Sequence, residues 1–193
     1  STQLQDTFGM NMVALVDGQP RLLNLRQMLE CFLSHRREVV TRRTVYELRK
    51  ARERGHLLEG LAVALANVDE MIALIKAAPT PPVAKERLLE QTWDPGLARE
   101  MVERAATGDD GSDVAQRLRA FRPEGMDPAL GLSPNGYRLS EAQAQEILNM
   151  RLQRLTGLEQ DRIVTEYREI VLTIADLLDI CLLYTSPSPR DRG

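Results

Sequence analysis

The chain has 193 residues, 43% hydrophobic, 27% charged and only 4% aromatic, with a formal net charge of −3. That length fits one domain, or two small ones joined by an extended element, and a composition rich in Leu, Ala, Glu and Arg favours helices packed by aliphatic side chains over a sandwich or barrel. Apolar runs such as Leu61 to Ala66 fall far short of the roughly 20 residues of a bilayer span, and Cys31 and Cys181 have no ligand-spaced partners, which argues against a disulfide framework or a zinc site and suits a reducing compartment.

The sequence opens without Met inside what reads as ordered structure, so the N-terminus is expected to be a cut. Met12 to Leu15 and Arg21 to Leu23 read as two short strands around a turn at Asp17-Gly18-Gln19-Pro20. Asn24 with Gln27 three residues on, ahead of Leu25, Met28, Leu29, Phe32 and Leu33, is a capping-box start for an amphipathic helix. That helix leads into a basic run. Between His35 and Arg54 stand eight basic residues (Arg36, Arg37, Arg42, Arg43, Arg49, Lys50, Arg52, Arg54) against three acidic ones (Glu38, Glu47, Glu53). The plain reading is a solvated helix face with Glu38 and Arg42 as an i, i+4 pair. The sharper reading is a surface able to neutralise several phosphates without reading sequence.

From Leu48, apolar or small residues recur at Ala51, Gly55, Leu58, Leu61, Leu65, Val68, Ile72 and Ile75, which after one irregular step is the 3-4 alternation of a heptad seam. An unbroken helix from about His35 to Ala77 is roughly 60 Å long at 1.5 Å per residue and needs a partner. The partner seam is Ile163, Tyr167, Ile170, Ile174, Leu177 and Cys181. The expected fold is therefore mainly α: a long antiparallel coiled-coil stalk, a small helical knob at its far tip, and a short N-terminal β hairpin.

Within the knob, Thr80-Pro81-Pro82 and Asp94-Pro95 place a capping residue ahead of Pro, which predicts helices over 81–91 and 95–106. Trp93 is the expected anchor of the knob core. Thr107 to Asp113 is a polar loop whose Asp109-Asp110-Gly111-Ser112-Asp113 lacks the oxygen-ligand spacing of a calcium hand. Pro134-Asn135-Gly136 marks a tight turn. Ser140 with Gln143 opens a helix carrying Ile147, Leu148, Leu152 and Leu155, with Gly157 expected to close it. Ser186-Pro187-Ser188-Pro189 abolishes helix where the heptad should continue, so the last thirteen residues, Cys181 to Gly193, read as a foreign tail of the kind translated from a sequencing adapter.

The run from His35 to Ile75 (HRREVVTRRTVYELRKARERGHLLEGLAVALANVDEMIALI) closely resembles the breakage-reunion subunits, the A subunits, of bacterial type IIA DNA topoisomerases, and the DNA gyrase type more than the topoisomerase IV type. Thr2 to Leu15, Ala78 to Leu89 and Glu141 to Glu159 resemble the same subunits in the same order, so the resemblance covers residues 2 to about 180. The stretch Thr107 to Leu132 is unlike the family versions. A non-enzymatic coiled-coil tether is the competing reading. It would share the heptads and the knob but would have no need of the clustered basic residues.

The resemblance implies residues 1–34 as the end of a tower region, 35–78 as the outgoing coiled-coil helix, 79–158 as an exit-gate dimerisation knob, 159–180 as the returning helix and 181–193 as the non-native tail. It implies a cytoplasmic, nucleoid-associated, ATP-dependent type II topoisomerase as the parent complex. Its partners would be DNA, the gyrase B subunit and a second copy of this chain in a homodimer, with no membrane. ATP and Mg2+ would be used through the B subunit, while no cofactor would be bound by this chain. In the family the nucleophilic tyrosine follows an arginine in a winged-helix domain. None of Tyr46, Tyr137, Tyr167 or Tyr184 has that context, so no catalytic residue is expected here. The expected DNA-backbone contacts are Arg36, Arg37, Arg42 and Arg43, and the expected dimer-interface residues are Gln143, Gln145, Asn149 and Leu152.

Overall fold

The computed structural model describes residues 9–106, 120–150 and 157–185. The polar loop at 107–113, Leu152, Leu155 and positions 186–193 of the tail lie outside the described residues. The chain opens with an antiparallel hairpin of β1 (Val13–Val16) and β2 (Gln19–Leu22), in the register Val13↔Leu22 to Val16↔Gln19. Asp17 and Gly18 both have positive φ, at 53° and 77°, as the two-residue turn of a right-twisted hairpin demands. The turn is thus tighter than the four residues expected. Gln19 and Pro20 belong to β2, where Pro is tolerated because each strand of a two-stranded ribbon is an edge.

Helix α1 (Leu25–Ala66) runs for 42 residues, about 63 Å at 1.5 Å per residue. Its start is the capping box read from the sequence: the Asn24 side chain accepts from the Gln27 N–H at 2.8 Å, and the Gln27 side chain accepts from the Asn24 N–H at 3.0 Å. The end differs from expectation. The helix breaks at Asn67 (φ −120°, ψ 32°) and α2 (Val68–Ala77) sets off separately. The buried Asn67 amide donates to the Val63 carbonyl and to the Asp94 carbonyl, each at 2.8 Å. A side chain that bonds backbone in this way gives the chain an alternative to the next helical turn.

The last helix, α6 (Gly157–Thr185), lies antiparallel to α1, as the two seams require. Glu59 meets Tyr167, Gly55 faces Ile170, and Leu48 packs with Ile174 and Leu177. Gly157, expected to end a helix, is instead the first residue of α6. Seam pairing holds from Leu48 to Leu61, where Leu58 and Leu61 lie beside Ile163. Beyond that α1 changes character. The five consecutive residues Leu61 to Leu65 are all buried, the mark of a helix surrounded on every side.

What surrounds it is α2, α3 (Pro81–Glu90), α4 (Leu97–Ala106), α5 (Glu141–Asn149) and a three-stranded antiparallel sheet in the order β3-β5-β4 (Thr92–Trp93, Gly136–Arg138, Gly131–Ser133). The sheet was not expected. Strands of two or three residues are too short to show alternation. Trp93 anchors this core as anticipated, almost fully buried, with its indole N–H donating to the Leu88 carbonyl at 3.0 Å. α4 starts at Leu97, two residues later than expected. Asp94 accepts from the Gly96 N–H, and Gly96 takes a positive φ of 46° that no right-handed helix allows. α5 keeps its Ser140/Gln143 capping box but ends at Asn149.

Two glycines on α1 make opposite predictions. A Cβ on Gly55 would meet Ile170 and Tyr167 at 3.5 and 3.9 Å, ordinary contact, whereas one on Gly60 would come within 2.6 Å of the Gln143 side chain. Gly55→Ala should raise stability by up to about 1 kcal/mol through helix propensity, while Gly60→Ala should lower it by about 1–3 kcal/mol through overpacking. Urea midpoints of the two variants should therefore move in opposite directions.

Candidate functional site

Seven residues advance an α-helix by nearly two turns, so residues seven apart fall almost on one line. The basic run of α1 has this spacing: His35-Arg36, Arg42-Arg43 and Arg49-Lys50. All six side chains are exposed. The buried residues of the same stretch, Thr44, Leu48, Arg52 and Gly55, lie about half a turn round the helix from these pairs. Arg36, Arg42 and Arg43 thus share the outer face, and Arg37 stands on the side of the seam.

Partners divide the basic residues further. Arg42 sits 3.8 Å from Glu38 and Arg43 bonds Glu47 at 2.8 Å, both i, i+4 pairs in open solvent. Among the described residues, Arg36, Arg37 and Arg49 have no carboxylate partner. Lys50 places its ammonium 4.8 Å from the centre of the half-exposed Tyr46 ring. Arg52 and Arg54 are used internally. Arg52 is buried and donates to the Ala120 carbonyl at 2.7 Å and to Glu124 at 3.0 Å, and Arg54 binds Glu166 across the helix pair.

Further along α1 lies a polar network that the heptad pattern does not foreshadow. The half-buried carboxylate of Glu59 takes one hydrogen bond on each oxygen, from Tyr167 OH at 2.8 Å and from Tyr137 OH at 3.0 Å. Behind Tyr137, the fully buried Gln143 amide donates to the Tyr137 hydroxyl at 2.8 Å and to the His56 carbonyl at 2.6 Å, while its own oxygen accepts from the Ser140 N–H at 2.9 Å. His56 bonds Ser140 Oγ through Nε2 at 2.7 Å and turns Nδ1 to the Gln143 amide nitrogen at 3.2 Å. Among the described residues no buried side-chain polar atom lacks a partner. Burial raises the Glu59 carboxyl above its ordinary range against the pull of the two hydroxyls, and burial together with the facing carboxylate pushes both tyrosines up. One signal of the network was available in the sequence: Glu59 is the lone acid between His56 and Asn67.

The expected interface residues part company here. Gln143 faces inward and has no exposed surface, whereas Gln145 and Asn149 point outward, 3.3 Å apart. Beside them an apolar hollow of about 270 Å³ opens between α2 and α5, lined by Val68, Met71, Ile72, Ile75, Ile147, Leu148 and Met150. Among the described residues no cluster of His, Cys, Asp or Glu is arranged to hold a metal ion, and no helix is long and apolar enough to cross a membrane.

A family model for the A subunits of DNA gyrase and topoisomerase IV matches residues 1–182. The chain is 59% identical over 179 residues to the DNA gyrase A subunit of Pseudomonas aeruginosa, covering 93% of this chain and 18% of that protein. It is 52% identical over 179 residues to the corresponding protein of Neisseria gonorrhoeae (93% and 19%) and 53% identical over 166 residues to that of Escherichia coli (86% and 18%). The chain therefore spans about a fifth of the length of these relatives.

The imidazole of His56 carries a pH prediction. Burial, then the nearby Arg122 guanidinium, lowers its pKa from 6.5 to about 4, and a proton on Nδ1 would face the N–H of Gln143. The unfolded chain takes up this proton first, so stability contributed by neutral His56 is present above pH 6.5 and is lost as pH falls towards 4. Glu59 acts with the opposite sign, its raised carboxyl weakening the fold as pH rises through its folded pKa. Urea midpoints measured at about pH 7 and about pH 5 should show a drop on acidification that is smaller in His56→Gln and larger in Glu59→Gln.

Proposed function

The chain belongs to the family of DNA gyrase and topoisomerase IV A subunits, and we propose that it is the tower-edge, coiled-coil and exit-gate part of the gyrase member. The parent complex is then an ATP-dependent type II topoisomerase that passes one duplex through a double-strand break in another. Curated relatives named as gyrase subunits over the same stretch favour this branch over topoisomerase IV. The observation that carries the reading is a single helix, α1, with an exposed basic face at one end and a core position inside an apolar-surfaced knob at the other. A simple tether needs neither.

In this reading Arg36, Arg42 and Arg43 neutralise DNA phosphates near the base of the stalk, positioning the duplex without reading bases. Arg37, turned to the seam side, contributes less. The knob meets a second copy of itself through a two-fold contact built from Gln145, Asn149 and the hollow lined by Ile72, Ile75 and Leu148, which buries the same apolar patch twice. Gln143 supports that surface from within by holding α5 on α1. Strand cleavage, ATP and Mg2+ are handled elsewhere in the cytoplasmic assembly, by the gyrase B subunit together with the remaining four-fifths or so of the full-length protein. Tyr137 and Tyr167 are engaged by Glu59 and are not free to attack a phosphate.

Two measurements test the two halves of this proposal. Sedimentation of the chain at tens of micromolar should show a dimer that Leu148→Glu dissociates without loss of helix by circular dichroism, since two like charges would meet across the axis. A dimeric variant, or a monomeric wild type, would remove α5 from the gate. Binding to a random duplex should weaken steeply with salt, and the double change Arg42→Glu with Arg43→Glu should reduce the salt slope by about two units while leaving the dimer intact.

A further inference from the structure

We propose that the outer face of α1 from Arg36 to Lys50 is one continuous phosphate-binding ladder, along which a DNA duplex lies down the length of the stalk and not only across its base. The inference rests on the gyrase reading above and extends it to Tyr46, Arg49 and Lys50, which that reading leaves out.

Three rungs recur at seven-residue intervals, His35-Arg36, Arg42-Arg43 and Arg49-Lys50. Each step is about 10.5 Å along the helix axis, and the ladder is about 21 Å long, close to six base pairs of duplex. Because the rungs stand about half a turn from the seam, pairing with α6 leaves the whole ladder open. Tyr46 lies on the same face between the second and third rungs, half exposed and beside the Lys50 ammonium, where its hydroxyl can donate to a phosphate oxygen. Arg36 and Arg49 have no carboxylate partner among the described residues, and the pairs of Arg42 and Arg43 are solvent-exposed contacts that a phosphate can replace.

The lower limit of the ladder is set by structure. Glu53 follows on the same face, and the next two arginines, Arg52 and Arg54, are held by Ala120, Glu124 and Glu166. A straight row of evenly spaced cations on a stiff helix complements a stiff polyanion. A single strand would call for several aromatic stacking platforms, and this face offers only Tyr46.

The test uses the intact 193-residue chain with a labelled duplex of about 30 base pairs and random sequence, titrated at several salt concentrations. Arg49→Glu and Lys50→Glu should each weaken binding about tenfold at low salt and lower the salt slope by about one unit, as loss of one phosphate contact does. Arg37→Glu, the same charge change on the seam side, should stay within about twofold of wild type. Circular dichroism and sedimentation should be unchanged in all three. Binding by Arg49→Glu and Lys50→Glu equal to wild type would overturn the ladder, and a loss confined to Arg42→Glu with Arg43→Glu would then leave DNA contact at the stalk base standing. Equal losses at Arg37 and Arg49 would show that net charge and not the face matters, which also overturns it. A single strand of the same length bound as tightly as the duplex would overturn the choice of partner. No salt-dependent binding by the wild-type chain would overturn the DNA reading itself.

Discussion

A carboxylate drawn partly out of water at a helix junction has to be compensated, because the water it gives up must be replaced by hydrogen bonds from the protein. Glu59 sets that requirement at the point where α1 passes from the two-helix stalk into the knob. Its two oxygens are met by hydroxyls from different elements, Tyr167 on α6 and Tyr137 on β5. Tyr137 is in turn oriented by Gln143 of α5, whose amide is also anchored to the His56 carbonyl on α1. Sheet, α5 and α6 are thereby placed relative to α1 by one connected set of bonds. Side-chain networks of this kind specify geometry more sharply than apolar packing does.

The consequence is that α1 lives in three surroundings along one continuous helix. Its first turns are exposed, with Leu25, Leu29, Phe32 and Leu33 all facing solvent. Its middle has one buried face, occupied by α6, and one basic face opposite. Its end, Leu61 to Leu65, is enclosed by the knob. One helix, Leu25 to Ala66, therefore joins the exposed basic face to the knob core without an intervening break. The break at Asn67 comes only after the knob core has closed round it, and the Asn67 bond to the Asp94 carbonyl ties the departing α2 back to the loop ahead of α4.

The apolar hollow between α2 and α5 follows from the same arrangement. Gln143 draws one face of α5 inward, so Gln145, Leu148 and Asn149 are left on the other. Two neighbours in the sequence, Gln143 and Gln145, thus have opposite fates although their chemistry is the same.

Much of this was legible from residues alone. Asn24 with Gln27 and Ser140 with Gln143 announced their capping boxes, because the donors and acceptors involved lie three residues apart. The 3-4 spacing of Leu48 to Leu61 and of Ile163 to Cys181 announced an antiparallel pair, and the clustered arginines announced a basic surface. These are local properties, settled by helical periodicity and short-range bonds. The positions of the helix break at Asn67, the strands around Tyr137 and the start of α6 at Gly157 were not legible, since each depends on a partner distant in sequence. The same holds for the site. Composition counted eight basic residues, but only packing decided that Arg52 and Arg54 would be consumed by Glu124 and Glu166 while Arg36 and Arg49 stayed open. Periodicity likewise put Glu59 on α1, but the two tyrosines that make its burial tolerable lie 78 and 108 residues away, a distance that only the folded chain closes.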